Sequence, residues 1–114
     1  DETLLIVQVE TRDAVEHLPS ILAVPGVDAV LIGPLDLSQS LGYPGQADLP
    51  AVRMVTERII EQTRAAHIPV GIYCADAATA RYWRDQGCQL LLMSTDLHFM
   101  ATALQAALAE WRAD

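Results

Sequence analysis

Four runs of apolar, β-forming residues are the feature that most constrains how this chain can fold. They are L-L-I-V-Q-V-E (residues 4–10), A-V-L-I-G (29–33), P-V-G-I-Y-C (69–74) and Q-L-L-L-M-S (89–94). None alternates regularly between apolar and polar residues, which is typical of parallel strands covered on both faces. Each run is also far shorter than the roughly 18 residues of a membrane span, so we expect no membrane partner.

Helical patterns separate these runs. We place them at residues 11–23, with a break at Pro19 before a short piece at 20–23, and at 49–66, 76–86 and from about Leu97 onward. Asp76 is a suitable N-cap for the third, and Gly87 is suited to end it. The resulting order, β-α-β-α-β-α-β-α, predicts an α/β fold with a parallel sheet.

Four βα units fit two layouts. One is a small open doubly wound sheet, and the other is half of an eight-unit barrel of about 250 residues. A doubly wound nucleotide-binding sheet usually has a glycine-rich turn after its first strand. Here that strand continues into Q-V-E-T-R, which makes a nucleotide site less favoured.

Composition limits the class of protein and its partners. The 114 residues suit one domain, and a formal net charge of −8 excludes nucleic acid as an expected partner. Cys74 and Cys88 have no C-x-x-C spacing, so we expect buried free thiols and a cytoplasmic location. The start D-E-T-L-L has neither a signal peptide nor Met, which indicates an excerpt or a processed product.

The chain is also unusually apolar for its size. Hydrophobic residues make up 52% of it and the mean hydropathy is +0.23. A compact domain of this length does not readily hide that much apolar surface, so we expect part of it to remain uncovered.

Polar residues cluster where the predicted strands end. Functional residues of α/β folds gather at the carboxyl ends of the strands. Glu10 and Asp36 follow neighbouring strands, and two such carboxylates suit Mg²⁺ or Mn²⁺, which leaves other positions for water and substrate. The alternative is that Glu10 is a helix-start charge and Asp36 a turn or N-cap residue, and spacing alone leaves both open.

Two motifs carry a resemblance to a known family. V-Q-V-E-T (7–11) is followed by G-V-D-A-V-L-I-G-P-L-D-L-S-Q-S-L-G-Y-P-G (26–45), with 26 residues from Glu10 to Asp36. This resembles the HpcH/HpaI aldolases, metal-dependent class II pyruvate aldolases. The similarity continues through I-P-V-G-I-Y and M-S-T-D-L to the final helix. It implies that residues 1–114 form the C-terminal half of a TIM (β/α)8 barrel, with its strands 5–8.

The resemblance also implies roles for individual residues. Glu10 and Asp36 match the family's metal ligands, and Gln8 matches the glutamine beside the keto oxygen. The backbone N–H groups of Leu35 and Asp36 match those that bind the pyruvate carboxylate, with Gly33 allowing close approach. The implied reaction cleaves 4-hydroxy-2-oxo acids to pyruvate and an aldehyde, with Mg²⁺ or Mn²⁺ (alternatively Co²⁺ or Zn²⁺) as Lewis acid.

Several positions depart from the family pattern. Leu35 stands where alanine is common, which implies a tighter or differently shaped carboxylate pocket. Tyr73 replaces a usual aliphatic residue and is a further candidate for substrate binding. Ser94-Thr95 replaces a more common Gly-Ser. These changes are expected to alter the choice of acceptor aldehyde or to mark a drifted copy.

The family's catalytic histidine and substrate-binding arginine belong to the first half of its barrel. The resemblance therefore implies an N-terminal half-barrel of the same protein as partner, and an isolated chain that lacks activity. His17 and His67 fall near helix ends, where the helix dipole explains them, and His98 remains a weaker pocket candidate. Arg12 is expected to pair with a nearby carboxylate such as Glu10.

The last helix carries an apolar stripe of Met100, Leu104, Leu108 and Trp111. In the family this helix packs across a subunit interface, which implies a homo-oligomer. Two alternatives to the aldolase remain. One is a fragment of a citrate-lyase-β-like acyl-CoA lyase, and the other is a half-barrel without catalysis, since half a barrel exposes sheet edges and an apolar interior.

Overall fold

The computed structural model describes residues 3–113, and in them the strands and helices alternate as expected. The elements are β1 (Ile6–Val9), α1 (Arg12–Glu16), α2 (Leu18–Leu22), β2 (Ala29–Ile32), α3 (Pro34–Ser40), α4 (Pro50–Ala65), β3 (Val70–Cys74), α5 (Ala77–Asp85), β4 (Leu90–Met93) and α6 (Asp96–Trp111).

The four strands form one parallel sheet in the order β1-β2-β3-β4. Each strand therefore pairs with the next strand along the chain. A doubly wound sheet reverses its strand order at a switch point, whereas a barrel wall keeps the chain order throughout. The topology confirms the α/β prediction and favours the barrel layout over the open doubly wound sheet.

One face of the sheet is covered by helices and holds the core. Val30, Ile32, Val70 and Ile72 alternate along the two central strands and are fully buried. They pack against helix residues in one cluster, including Leu18, Leu37, Ile59, Ile60 and Trp83. Burial of each large aliphatic side chain contributes about 1.5–3 kcal/mol, so this layer is the main source of the chain's stability.

The opposite face of the sheet is largely uncovered. The strand register aligns Gln8, Leu31, Gly71 and Leu90 across all four strands. On β4, Leu90 is 39% and Leu92 49% exposed. In a closed barrel this face would line the interior. Here it is exposed, which confirms that the chain carries more apolar surface than it covers.

The last helix is also uncovered. Met100, Leu104 and Trp111 of α6 are 65%, 60% and 75% exposed, so the predicted apolar stripe has no partner within residues 3–113. No helix in this described part is long and apolar enough to cross a membrane.

Most predicted bounds agree with the structure to within one residue, and three larger differences occur. The first strand begins at Ile6 rather than Leu4, and the Leu5 N–H just before it donates to the Asp28 carboxylate (2.7 Å) rather than to a backbone carbonyl. The second helical piece is Leu18–Leu22 rather than 20–23, since Pro19 lies in its first turn, where proline is tolerated. The segment after β2, where no helix was predicted, forms the seven-residue helix α3, which begins at Pro34.

Local signals at other helix ends are confirmed. Asp76 caps α5 by accepting the Thr79 N–H at 2.7 Å, and Gly87 follows that helix with φ +101°. Thr11 caps α1 by accepting the Ala14 N–H at 3.1 Å. Cys74 and Cys88 are buried free thiols, also as predicted.

Candidate functional site

A cavity of about 260 Å³ lies at the carboxyl ends of the strands. It is lined by Gln8, Leu31, Ile32, Gly33, Pro34, Leu35, Asp36, Tyr73, Leu92 and Thr95. Five of the six residues that the sequence singled out are in this lining, although they come from β1, β3 and the β2–α3 junction. The fold brings them together because parallel strands end at the same edge of the sheet.

The sixth residue, Glu10, lies beside this cavity against Gly33. The Gln8 side-chain amide donates a hydrogen bond to the Glu10 carboxylate, with Nε2 and Oε2 2.6 Å apart. A β-carbon at Gly33 would overlap that Oε2 and would lie 3.0 Å from the Gln8 Nε2. The space left by the glycine is therefore filled by Glu10 and Gln8.

Asp36 and two backbone amides occupy the first turn of α3. The N-cap position of this helix belongs to Gly33, so helix capping does not account for Asp36. The N–H groups of Leu35 and Asp36 have no acceptor within residues 3–113, as is usual for a first turn. This end of α3 thus presents a carboxylate and two N–H donors at the cavity wall.

Glu10 and Asp36 are the residues that could hold a metal. No group of three or more His, Cys, Asp or Glu side chains suited to an ion occurs in the described part of the chain. A structural zinc site would need four protein ligands. Mg²⁺ and Mn²⁺ accept one or two carboxylates and fill the remaining positions with water and substrate oxygens, so two carboxylates beside an open cavity fit such an ion.

Tyr73 and Leu35, the departures from the family pattern, also line a neighbouring cavity of about 180 Å³. Both side chains therefore lie between this cavity and the 260 Å³ cavity. The second cavity reaches Thr79 and the buried Trp83 of α5.

Five lining residues were not assigned to the site from the sequence, although Thr95 was noted there as a departure from the family pattern: Leu31, Ile32, Pro34, Leu92 and Thr95. Thr95 stands at a strand end, so the rule that located Glu10 and Asp36 could have identified it. Leu92 could be assigned only from the register, which pairs it with Tyr73.

None of the three histidines lines the 260 Å³ cavity, and His67, which follows α4 near its end as expected, lines a different cavity at the other end of the strands. His17 caps the end of α1, and its Nδ1 is 2.9 Å from the Asp13 carbonyl oxygen, which agrees with the expected helix-end position. His98 lies in the first turn of α6 with its backbone N–H on the Thr95 hydroxyl (3.1 Å). The expected pairing of Arg12 with Glu10 is wrong, because the Arg12 guanidinium donates to the Leu41 carbonyl oxygen (3.3 Å).

A larger cavity of about 520 Å³ lies at the opposite, amino-terminal ends of β3 and β4, far along the strands from these carboxylates. Its arginines, Arg64 and Arg84, stand in the last turns of α4 and α5. Cations there are the ordinary partners of helix carbonyl ends, and the same dipoles oppose a bound anion. We therefore place the candidate site at the carboxyl edge.

Cys74 lacks the environment of a nucleophilic cysteine. Burial, with a smaller effect from the Asp76 charge, raises the pKa of its thiol. The reactive form of cysteine is the thiolate, so this environment opposes nucleophilic chemistry.

Comparisons with known proteins agree with this fold. A hydroxypyruvate/pyruvate aldolase from Roseovarius nubinhibens is 40% identical over 114 residues, and a 2-keto-3-deoxy-L-rhamnonate aldolase from Klebsiella pneumoniae is 41% identical over 114 residues. A crystal structure of a family protein from Burkholderia cenocepacia superposes on 97% of this chain with a TM-score of 0.93 and 37% identity.

These relatives are much longer than the chain. It spans 44% and 43% of the lengths of the two aldolases and 43% of the Burkholderia protein, so its fold is part of a TIM barrel. The profile of the HpcH/HpaI aldolase/citrate lyase family matches residues 1–103. The chain therefore belongs to the HpcH/HpaI aldolase/citrate lyase family.

Proposed function

We propose that this chain is the C-terminal half of the barrel of a divalent-metal-dependent aldolase. The reaction is the cleavage of a 4-hydroxy-2-oxo acid to pyruvate, or a closely related 2-oxo acid, and an aldehyde. The observation that carries the proposal is the meeting of Glu10, Gln8 and Gly33 beside the α3 turn that bears Asp36. Relatives with aldolase names support the reaction class.

In this proposal Glu10 and Asp36 hold the metal, with Mg²⁺ or Mn²⁺ preferred because both ligands are carboxylates. When bound, such an ion supplies Lewis-acid polarisation of substrate oxygens. The free N–H groups of Leu35 and Asp36 would bind the pyruvate carboxylate, since backbone donors at a helix start favour anions. Gln8 lies within the same lining and would orient the keto end of the substrate.

Tyr73 and Leu35 would shape the substrate pocket. By the family resemblance, these positions more often hold alanine and an aliphatic residue, and both side chains line both cavities. Leu35 is half exposed and Tyr73 partly buried, so each presents apolar surface to a ligand. We propose that they restrict the size of the oxo acid or the aldehyde.

The chain also needs partners. The uncovered sheet face, with Leu90 and Leu92 exposed, is the surface on which an N-terminal half-barrel of the same protein would close. That half would contribute the histidine and arginine that complete the acid–base chemistry. The exposed stripe of α6 would join subunits into a homo-oligomer.

Mn²⁺ binding tests the metal site directly. We expect the chain to bind Mn²⁺, and Glu10→Ala and Asp36→Ala each to weaken that binding by tenfold or more, because each removes one of two protein ligands. Asp76→Ala is the matched control, since Asp76 is a helix cap at the same edge. Equal affinity in the parent chain and all three variants would remove the metal proposal.

Activity tests the need for a first half. The isolated chain should release no pyruvate from a 4-hydroxy-2-oxo acid, because no histidine lines the cavity in the described residues. A well-folded monomer of this chain that catalyses the cleavage would contradict the division of the site between two halves.

A further inference from the structure

The backbone conformation of Gly33 does not explain why this position holds a glycine. Glycine is usually required where φ is positive, but Gly33 has φ −98°, which any residue can adopt. Its N–H donates to the Val9 carbonyl oxygen (3.3 Å), which continues the pairing between the ends of β1 and β2. The need for glycine must therefore lie in the space beside its α-carbon.

That space is occupied by two functional side chains. A β-carbon at Gly33 would overlap the Glu10 Oε2, and it would lie 3.0 Å from the Gln8 Nε2 and 3.1 Å from the Glu10 Cβ. Ordinary contacts of a β-carbon begin at 3.4 Å, so all three atoms would have to move. The same Oε2 accepts the 2.6 Å hydrogen bond from Gln8, so a shift of this oxygen would also disturb that hydrogen bond.

We propose that Gly33 and Gln8 are positioning residues for the Glu10 carboxylate. Gly33 provides the space in which Oε2 lies, and Gln8 fixes the orientation of the carboxylate by donating a hydrogen bond to it. The inference rests on the proposed function, in which Glu10 is a metal ligand. It assigns Gly33 a role separate from close approach of the substrate.

The expected loss of Mn²⁺ affinity follows from the strict dependence of a metal site on the positions of its ligand atoms. Ligand distances in such sites hold to within about 0.2 Å, so the movement that a methyl group at Gly33 forces on Oε2 is large on that scale. Loss of a residue that orients a ligand typically weakens metal binding by about 10–100-fold. Gly33→Ala and Gln8→Leu should therefore weaken Mn²⁺ binding within this range without removing either carboxylate.

The experiment measures Mn²⁺ affinity of the chain by titration calorimetry, with circular dichroism as a check of folding. Gly26→Ala is the control, because Gly26 has no atom within 4 Å of an added β-carbon and has φ +92°. It carries the backbone strain that Gly33→Ala avoids, yet it should leave Mn²⁺ affinity within about twofold of the parent, since it touches no ligand. Equal affinity in Gly33→Ala and the parent would overturn the proposal.

A double-mutant cycle separates positioning from a general loss of stability. Glu10→Asp withdraws the carboxylate from the space beside Gly33, so Gly33→Ala should cost much less Mn²⁺ affinity in the Glu10→Asp background than in the parent. A general structural defect would instead lower affinity by the same factor in both backgrounds. Equal factors would overturn the inference.

A measurement without metal distinguishes failure of this inference from failure of the proposed function. In ¹⁵N-labelled protein, the side-chain amide signal of Gln8 should shift in Gly33→Ala and in Glu10→Ala but not in Gly26→Ala. If the parent binds no Mn²⁺ but this pattern is found, the positioning stands and the metal proposal fails. If Mn²⁺ binds and the Gln8 signal is unchanged in Gly33→Ala, the positioning is wrong and the metal proposal stands.

Discussion

Replacement of Ser94 by glycine should stabilise this protein, although it removes a side chain. Ser94 follows β4 with φ +50°, in the left-handed region that favours glycine. Its backbone is held there by a hydrogen bond from its N–H to the Cys74 carbonyl oxygen (2.8 Å). The residue is only 6% exposed, and its hydroxyl has no hydrogen-bond partner among the described residues.

The size of the effect can be worked from these three observations. A left-handed conformation costs an L-residue about 1–2 kcal/mol, and a buried hydroxyl without a partner costs about 1–3 kcal/mol. Ser94→Gly removes both costs and keeps the backbone hydrogen bond. Against this, glycine loses more conformational entropy on folding, about 0.5–1 kcal/mol. We expect a net gain of about 1–4.5 kcal/mol in the free energy of unfolding.

Thermal unfolding followed by circular dichroism measures this gain. A stabilisation of 1 kcal/mol raises the Tm of a domain near this size by roughly 4–8 °C. Protein concentration must be matched, because association changes Tm. Ser20→Gly is the control: Ser20 lies exposed in α2, so the same chemical change should lower the free energy of unfolding by roughly 0.5 kcal/mol.

A Tm for Ser94→Gly at or below that of the parent would refute the reasoning. It would mean that the Ser94 side chain makes a stabilising interaction larger than its strain and desolvation costs. A rise in Tm for both serine variants would also count against it, since the argument requires opposite signs at the two positions.

Three further predictions concern other parts of the molecule. The hydrogen bond from the Thr79 N–H lowers the pKa of Asp76 from its usual value. The stabilisation from this cap is therefore present above the pKa of the unfolded state and is lost as pH falls through the pKa of the folded state. Asp76→Ala should destabilise the protein at neutral pH, and its difference from the parent in urea unfolding should shrink on acidification through that range. Burial raises the pKa of Cys88 to about 11. At pH 8 its thiol should therefore react with a thiol reagent only as fast as the protein unfolds. Fast labelling of the native protein would contradict this. Replacing Met100 and Leu104 by glutamate should lower the sedimentation mass of the chain if α6 joins subunits, whereas an unchanged mass would leave the sheet face as the site of association.

Much of the fold could be predicted because its signals are local. Apolar runs identified the strands, and residues such as Asp76 and Gly87 marked helix ends through hydrogen bonds and φ angles close to them in sequence. Helix α3 was missed because G-P-L-D-L-S-Q-S-L-G contains turn-forming residues throughout. The proline that suggests a turn is also suited to the first position of a helix, where its missing N–H costs nothing.

The candidate site was predicted in outline because functional residues of parallel α/β folds collect at one edge. Strand ends identified Gln8, Glu10 and Asp36, and the paired motifs identified the family. Arg12 shows the limit of such reasoning. Proximity in sequence suggested a pair with Glu10, but the chain direction after β1 turns the guanidinium toward the Leu41 carbonyl oxygen.

The sequence by itself determined the α/β class, the family and the residue types at the site, because these depend on periodicity and on short motifs. Only the tertiary structure decided what surrounds them. It showed the sheet face that remains uncovered, the common wall that Tyr73 and Leu35 form between two cavities, and the contact between Gly33 and Glu10. Such contacts join residues from different strands, and their distances depend on register and packing, which no local pattern in the sequence specifies.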